Sequence, residues 1–215
     1  MPRTASKPIP KRIQSDFFTA MWDLAWHGRF YRAIQPNEFS VHQSFFYQFG
    51  AVTDVSRRHG LVVLWSTAAA LRFNELARLR LSDVDAHENT VYVARSKKSK
   101  SETIHVDSML VKCTAAWHRR VKINSVLLLP NQHGRKLNNK IFNRDVCEPL
   151  GEIFGIQLSH HSFRDTACDL GFGAGGDARA VQRLLGHKSA QTTQIYAEKS
   201  APAPIQIPLF AGDGE

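Results

Sequence analysis

Apolar positions fall at helical spacing near the start of the chain: Phe18, Trp22 and Trp26 recur every four residues and share one stripe of a helix. They belong to a stretch, residues 16–50, that carries 11 of the 21 aromatic residues. Such a stripe serves as a packing face, or as a platform for stacked bases or a second copy. Ahead of it, residues 1–15 are polar, basic and interrupted by Pro2, Pro8 and Pro10, the pattern of a flexible arm. From Leu61 to Leu81 the spacing predicts a largely buried helix. Thr90 to Arg95 sets Val91 and Val93 against Tyr92, which predicts a strand, and Thr103 to Asp107 reads as its return. The polar turn between them places Lys97, Lys98 and Lys100 at the tip or shoulder of a hairpin.

Helical spacing resumes over Met109 to Val121. A short apolar run, Val126 to Leu129, is closed by Pro130, Asn131 and Gly134. Asn138 to Phe154 is again helical, with a break expected near Pro149 and Gly151. Ser162 to Leu170 predicts a helix and Gly171 to Gly176 a break. Asp177 then opens a helix that Gly186 stops after Leu185. Ser189 is placed to cap a last short helix, Ala190 to Lys199. The tail, Ser200 to Glu215, holds three prolines and alternates Ile205, Ile207 and Leu209. The sum is an α+β protein, mainly α, with one small antiparallel sheet.

At 215 residues the chain can bury a core without disulfides. No apolar run reaches the roughly 18 residues of a membrane span, and the basic N-terminus lacks the apolar segment of a secretory signal. Cys113, Cys147 and Cys168 are far apart and odd in number, which suits a reducing cytoplasm and ordinary core packing rather than zinc. Charge changes the picture more. The net charge is +9, and residues 91–148 alone hold 12 Lys and Arg against 4 Asp and Glu. A basic segment beside a basic arm fits a polyanion, most often nucleic acid.

The C-terminal third carries the chemistry. His161 and Arg164 stand three apart on one helical face, with His160 competing for the role of His161. Leu184-Leu185-Gly186-His187 puts His187 on a turn, and Tyr196 follows Thr192-Thr193. An arginine fork binds two phosphate oxygens, and a tyrosine hydroxyl acts as a covalent nucleophile once a base removes its proton. The set suits phosphoryl transfer. A metal-dependent hydrolase built on His160, His161 and His187 is the weaker alternative, because no metal-ligand spacing accompanies them.

His161-Ser-Phe-Arg164, Leu184-Leu-Gly-His187 and Thr192-Thr-x-x-Tyr196 together resemble the tyrosine recombinases, the phage integrase family. Upstream, Ala70-Leu-Arg72-Phe-Asn-Glu75-Leu76 followed by Leu79-Arg-Leu-Ser-Asp-Val-Asp85 is similar to the family's first arginine box, and the Val91–Val106 hairpin to the one that bears its catalytic lysine. The resemblance runs from about residue 37 to 198 and implies three parts: a basic arm and aromatic helical segment (1–36), the catalytic domain (37–200) and a Pro-rich apolar tail (201–215).

The resemblance implies roles. Arg72 and Arg164 would hold the scissile phosphate of double-stranded DNA, His187 would add a hydrogen bond, and Tyr196 would attack to leave a 3′-phosphotyrosyl link. His161 would accept the tyrosine proton and Lys97, ahead of Lys98 or Lys100, would protonate the departing 5′-oxygen. Arg95, Lys98 and Lys100 would contact the DNA backbone, and Glu75 would be structural. It implies no cofactor, no metal and no ATP, and a homotetramer on two synapsed sites, with accessory DNA-bending proteins as further partners. The setting would be the cytoplasm, nucleoid-associated, with a bacterial or a phage- or plasmid-encoded gene. Similar proteins pass a C-terminal segment to a neighbouring subunit, and the apolar tail is expected to do so; the alternative is a tail folded back onto its own subunit or left mobile. Three departures stand out: Ala70 occupies a position where the family usually has Gly, a change a helix tolerates; Asp165 follows Arg164 where a His is frequent; and the usual N-terminal core-binding domain is expected to be missing or replaced by the aromatic segment and arm. In size the chain resembles the short recombinases that invert fimbrial promoters. The alternative is a non-catalytic DNA-binding relative or truncated remnant.

Overall fold

The computed structural model describes residues 7–28, 54–95, 101–186 and 207. The helices are α1 (Lys11–His27), α2 (Asp54–Ala68), the single turn α3 (Phe73–Leu76), α4 (Ser108–Val121), α5 (Asn139–Phe142), α6 (Glu148–Phe154), α7 (His160–Gly173) and α8 (Ala178–Leu185). Between α3 and α4 run the strands β1 (Val84–Asp85), β2 (Thr90–Val93) and β3 (Glu102–His105), antiparallel in the order β1-β2-β3. Val91 and Val93 of β2 point into the core while Tyr92 faces solvent, as the alternation requires. Val93 pairs with Glu102, so the lysine-rich connection leaves from that end of the sheet. β1 was not foreseen; it is two residues long, too short for a period to show.

α2 is the axis of the molecule. From Gly60 to Ala68 every residue is buried, and the helix packs against α1, α4 and α7. Such a helix needs apolar neighbours on all sides. α1 supplies one through Phe17, Met21 and Leu24. The two backbones cross closely: a Cβ at Gly60 would lie 2.7 Å from Ala25 N and Met21 O. On the opposite side Trp65 is fully buried and its indole donates to Thr114 Oγ1 at 2.9 Å. α7 closes the core with Phe163 and Ala167.

Three expectations change. The arm gives way to order earlier than residue 15: Ile9 is buried, its N–H donates to Thr166 Oγ1 of α7 at 2.8 Å, and α1 starts at Lys11. α1 therefore shares one core with the elements after it, and the boundary expected at residue 36 falls among residues outside the description. The helix over 139–154 does not break at Pro149. It widens into a π turn over Asn143–Cys147, directly ahead of Pro149, and the wider ladder falls at the point where the proline withholds its N–H. Ile207 is buried in this chain's own core, near the Cβ position of Gly171, between α7 and α8. That residue of the tail therefore packs within its own chain; the tail's other residues lie outside the description.

The end of α2 departs most from expectation. Leu71 N–H donates to Ser66 O at 3.0 Å and Ala70 N–H to Thr67 O at 3.1 Å, the paired bonds that close a helix with one left-handed residue. That residue is Ala70, at φ +46°. Ala70 is thus a helix terminator rather than a helical residue, which gives a physical reason for a glycine there. The left-handed region costs an L-residue about 1–2 kcal/mol, against about 0.5–1 kcal/mol for the extra freedom of an unfolded glycine. Ala70→Gly is expected to stabilise the protein by about 0.5–1 kcal/mol, read as a higher urea midpoint, and Ala70→Val to destabilise it. A lower midpoint for the glycine variant contradicts this backbone assignment.

Candidate active site

The left-handed turn at Ala70 throws the chain out of α2 and into an extended Arg72, which precedes α3. Glu75, one turn on, reaches back. Its Oε2 accepts from Arg72 N–H at 2.9 Å and its Oε1 from Arg72 Nη1 at 2.9 Å. The same Oε2 accepts from Arg95 Nη1 at 2.9 Å. Burial pulls the Glu75 pKa upward, but the two hydrogen bonds from Arg72 and the charges of Arg95 and Arg72 outweigh it, so the carboxyl sits below its usual range. Glu75 is a structural anchor, bonded on both oxygens.

Arg164 enters from the first half of α7. It is buried, and its Nη1 donates to Ala70 O and its Nη2 to Leu185 O. Burial, with the charges of Arg72 and Arg95, lowers its pKa to about 10, which leaves it cationic at neutral pH. Arg72 is 34% exposed and can meet a ligand. The centre therefore groups three guanidinium ions around one carboxylate, with Arg72 opening towards solvent.

The two adjacent histidines part company. His160 is buried, its Nε2 lies 2.9 Å from Ser66 Oγ, and Phe73 meets its ring edge-on at 5.0 Å. Burial first, then the charges of His161 and Arg164, push its pKa down to about 3. His161, the next residue, is exposed. Helical geometry turns neighbours about 100° apart, so one histidine packs against α2 while the other is free to meet a ligand.

Arg95 requires a correction. The sequence points it at the DNA backbone, but its side chain is fully buried. Besides Glu75 it donates to Leu184 O at 2.5 Å and to Ala70 O at 3.4 Å. The alternation of β2 carries the signal: positions 91, 93 and 95 all face inward. A charge at an inward position needs a partner, and Glu75 is that partner. Lys97, Lys98, Lys100, His187 and Tyr196 lie outside the described residues. Among the described residues no group of three or more His, Cys, Asp or Glu could hold a metal ion, and no helix is long and apolar enough to cross a membrane.

A profile of the Phage integrase family matches residues 48–202. Tyrosine recombinase XerA of Thermococcus kodakarensis is 31% identical over 146 residues, 66% of this chain and 51% of that protein. Tyrosine recombinase XerC of Corynebacterium efficiens is 32% identical over 153 residues, 69% of this chain and 48% of that protein. The chain thus spans about half the length of these relatives. Among solved structures, the XerH site-specific recombinase bound to a palindromic difH substrate superposes with a TM-score of 0.64 at 17% identity, covering 90% of this chain and 50% of that one. A lambda integrase tetramer bound to a Holliday junction gives 0.55 at 12% identity, covering 92% and 50%. At these identities the structures share the fold of a recombinase catalytic region, mostly helical with a small antiparallel sheet.

His160, buried, and His59, half-buried, set a pH dependence. His59, like His160, is lowered to about 3, by burial and the Arg58 charge against an opposing Asp145. An unfolded histidine titrates near 6.5. Both folded values lie below that, so the folded state binds fewer protons once the pH drops under about 6.5. Stability is full above about 6.5 and falls as the pH drops towards 3, by up to about 1.4 kcal/mol per pH unit for each histidine. The urea midpoint is expected to be clearly lower at pH 5 than at pH 7.5. An unchanged midpoint contradicts the neutral state of these two histidines.

Proposed function

This chain belongs to the phage integrase family, and we propose that it breaks and rejoins DNA strands at specific sites through a 3′-phosphotyrosyl intermediate. Arg72 and Arg164 bind the non-bridging oxygens of the scissile phosphate. Tyr196 attacks phosphorus: the Oη–P bond forms, the P–O5′ bond breaks, and the 3′-phosphate stays on the enzyme. His161 takes the tyrosine proton and Lys97 gives one to the departing 5′-oxygen. His187 adds a donor to the phosphate. The link keeps the energy of the phosphodiester, so a 5′-hydroxyl of a second strand reverses the step and completes the exchange.

The observation that carries this reading is the guanidinium centre. Three arginines stand against one carboxylate, and Arg72 of the set opens to solvent. The surplus positive charge is in place before any ligand arrives, and Arg72 presents it to solvent, where it would meet the negative charge a phosphate gathers in its transition state. Preorganised charge of this kind is commonly the largest single contribution to catalysis. The family relatives and the fold they share support the same chemistry. Double-stranded DNA is the substrate, and the working form is a homotetramer on two synapsed sites; a lambda integrase of similar fold is seen as a tetramer bound to a Holliday junction. Accessory DNA-bending proteins fit the same scheme. Inversion, resolution and integration all use this chemistry.

Tyr196→Phe keeps the ring and loses only the nucleophilic oxygen. The variant is expected to bind DNA with wild-type affinity and to form no adduct on a nicked duplex bearing its selected site. A 3′-labelled DNA–protein adduct that survives denaturation in the Phe variant contradicts the assignment. A wild-type protein that binds the site and never forms the adduct is instead a DNA-binding relative.

A further inference from the structure

We propose that His160 is a positioning residue: its buried ring, held by Ser66 and packed on Phe73, sets His161 in place relative to Arg72. The inference rests on the reading above, in which Arg72 binds the phosphate and His161 takes the tyrosine proton.

His160 is anchored at both its backbone and its ring. It opens α7, and the first N–H groups of a helix have no partner within the helix. Asn143 Oδ1, from the π turn after α5, accepts the N–H of His160 at 3.2 Å. At the ring, Ser66 Oγ gives its one proton to Val62 O at 2.6 Å, so at 2.9 Å it accepts from His160 Nε2. That leaves Nδ1 as a bare acceptor, buried and without a hydrogen-bond partner among the described residues. An unsatisfied nitrogen inside the protein is destabilising, and an apolar side chain would avoid it. What the histidine adds over an apolar residue is the one directed bond to Ser66.

That bond joins two parts of the site. Ser66 O accepts from Leu71 N–H in the turn that leads to Arg72. Phe73, which meets the His160 ring edge-on at 5.0 Å, follows Arg72 directly. On the other side, the exposed His161 follows His160. Arg164 ties α7 to Ala70 O one helical turn further along, so two points fix the helix against the end of α2. Successive helical residues are turned by about 100°. A rotation of α7 about its axis would therefore swing His161 sideways, and the His160 ring seated against Ser66 opposes it. His160 touches neither substrate nor reacting atom in this scheme; it acts through His161.

The test uses the full chain and a saturating nicked duplex bearing the site recovered by wild-type selection from a random library. Single-turnover adduct formation is followed as a function of pH. A base must be neutral to take a proton, so the wild-type rate falls on the acid side as His161 titrates. His160→Leu fills the space without the donor. It is expected to slow adduct formation by about 100-fold, the cost of a misplacement near 1 Å. DNA affinity should be unchanged, and the acid limb should be lost as it is in His161→Ala. In a His161→Ala background it should add no further loss. His160→Gln, whose amide nitrogen can reach Ser66 in place of Nε2, is expected to restore both the rate and the acid limb. Ser66→Ala removes only a hydroxyl and takes the place of His160→Leu should the latter fail to fold, with the same pattern of losses expected. A wild-type rate in His160→Leu, a slowed rate that keeps its acid limb, a glutamine no better than leucine, or losses that multiply with His161→Ala overturns the proposal and leaves His160 as a fold residue. A His161→Ala variant with the wild-type rate and pH profile overturns the assignment of His161 and with it this route. Absence of any adduct with wild type overturns the functional reading itself, a separate outcome.

Discussion

The buried carboxylate of Glu75 governs how the rest of the site is assembled. A carboxylate removed from water is costly unless its oxygens are paired. Here both are paired, by the backbone and guanidinium of Arg72 on one side and by Arg95 on the other. The interaction links a helix turn to the end of a strand. It also lets a fully buried arginine side chain remain charged next to Arg72 and Arg164, where like charges would otherwise repel.

One carboxylate does not balance three guanidinium ions, and backbone dipoles supply part of the difference. α2 and α8 both end at this point. Ala70 O, just beyond α2, accepts from Arg164 and Arg95, while Leu184 O and Leu185 O, at the end of α8, accept one hydrogen bond from each. The last carbonyls of a helix lack internal partners and carry its negative end, so cations are favoured there. The arginines thus satisfy two helix ends, and the helix ends fix the arginines. Arg72, the member most open to solvent, keeps its capacity for an incoming anion. The strained left-handed conformation of Ala70 has a clear place in this design: it turns one of these carbonyls towards the arginines.

Much of this was legible in the sequence, for reasons that differ by element. β2 and β3, α4 and α8 follow from period, Asp177 caps α8 through a bond from Ala180 N–H, and Gly186 stops it. Arg72, Glu75, His161 and Arg164 followed from motif resemblance, and the structure joins Arg72, Glu75 and Arg164 in one centre and leaves His161 exposed beside it. What escaped depends on contacts distant in sequence. Nothing local to Ala70 marks it as left-handed, because a helical pattern runs through it. The role of Arg95 was half visible: its inward register was in the alternation, but its partner sits 20 residues away. His160 and His161 are identical letters, and only the packing of α7 on α2 decides which one faces inward.

Glu75 is the anchor of the guanidinium centre. Glu75→Gln preserves shape and removes the charge, leaving Arg95 buried without its counter-ion. Breaking a buried pair in this way costs about 3–5 kcal/mol. Urea denaturation of the variant at neutral pH is expected to show a loss of that size. A loss below about 1 kcal/mol, the ordinary range of an exposed pair, would contradict the claim that this carboxylate holds the site together.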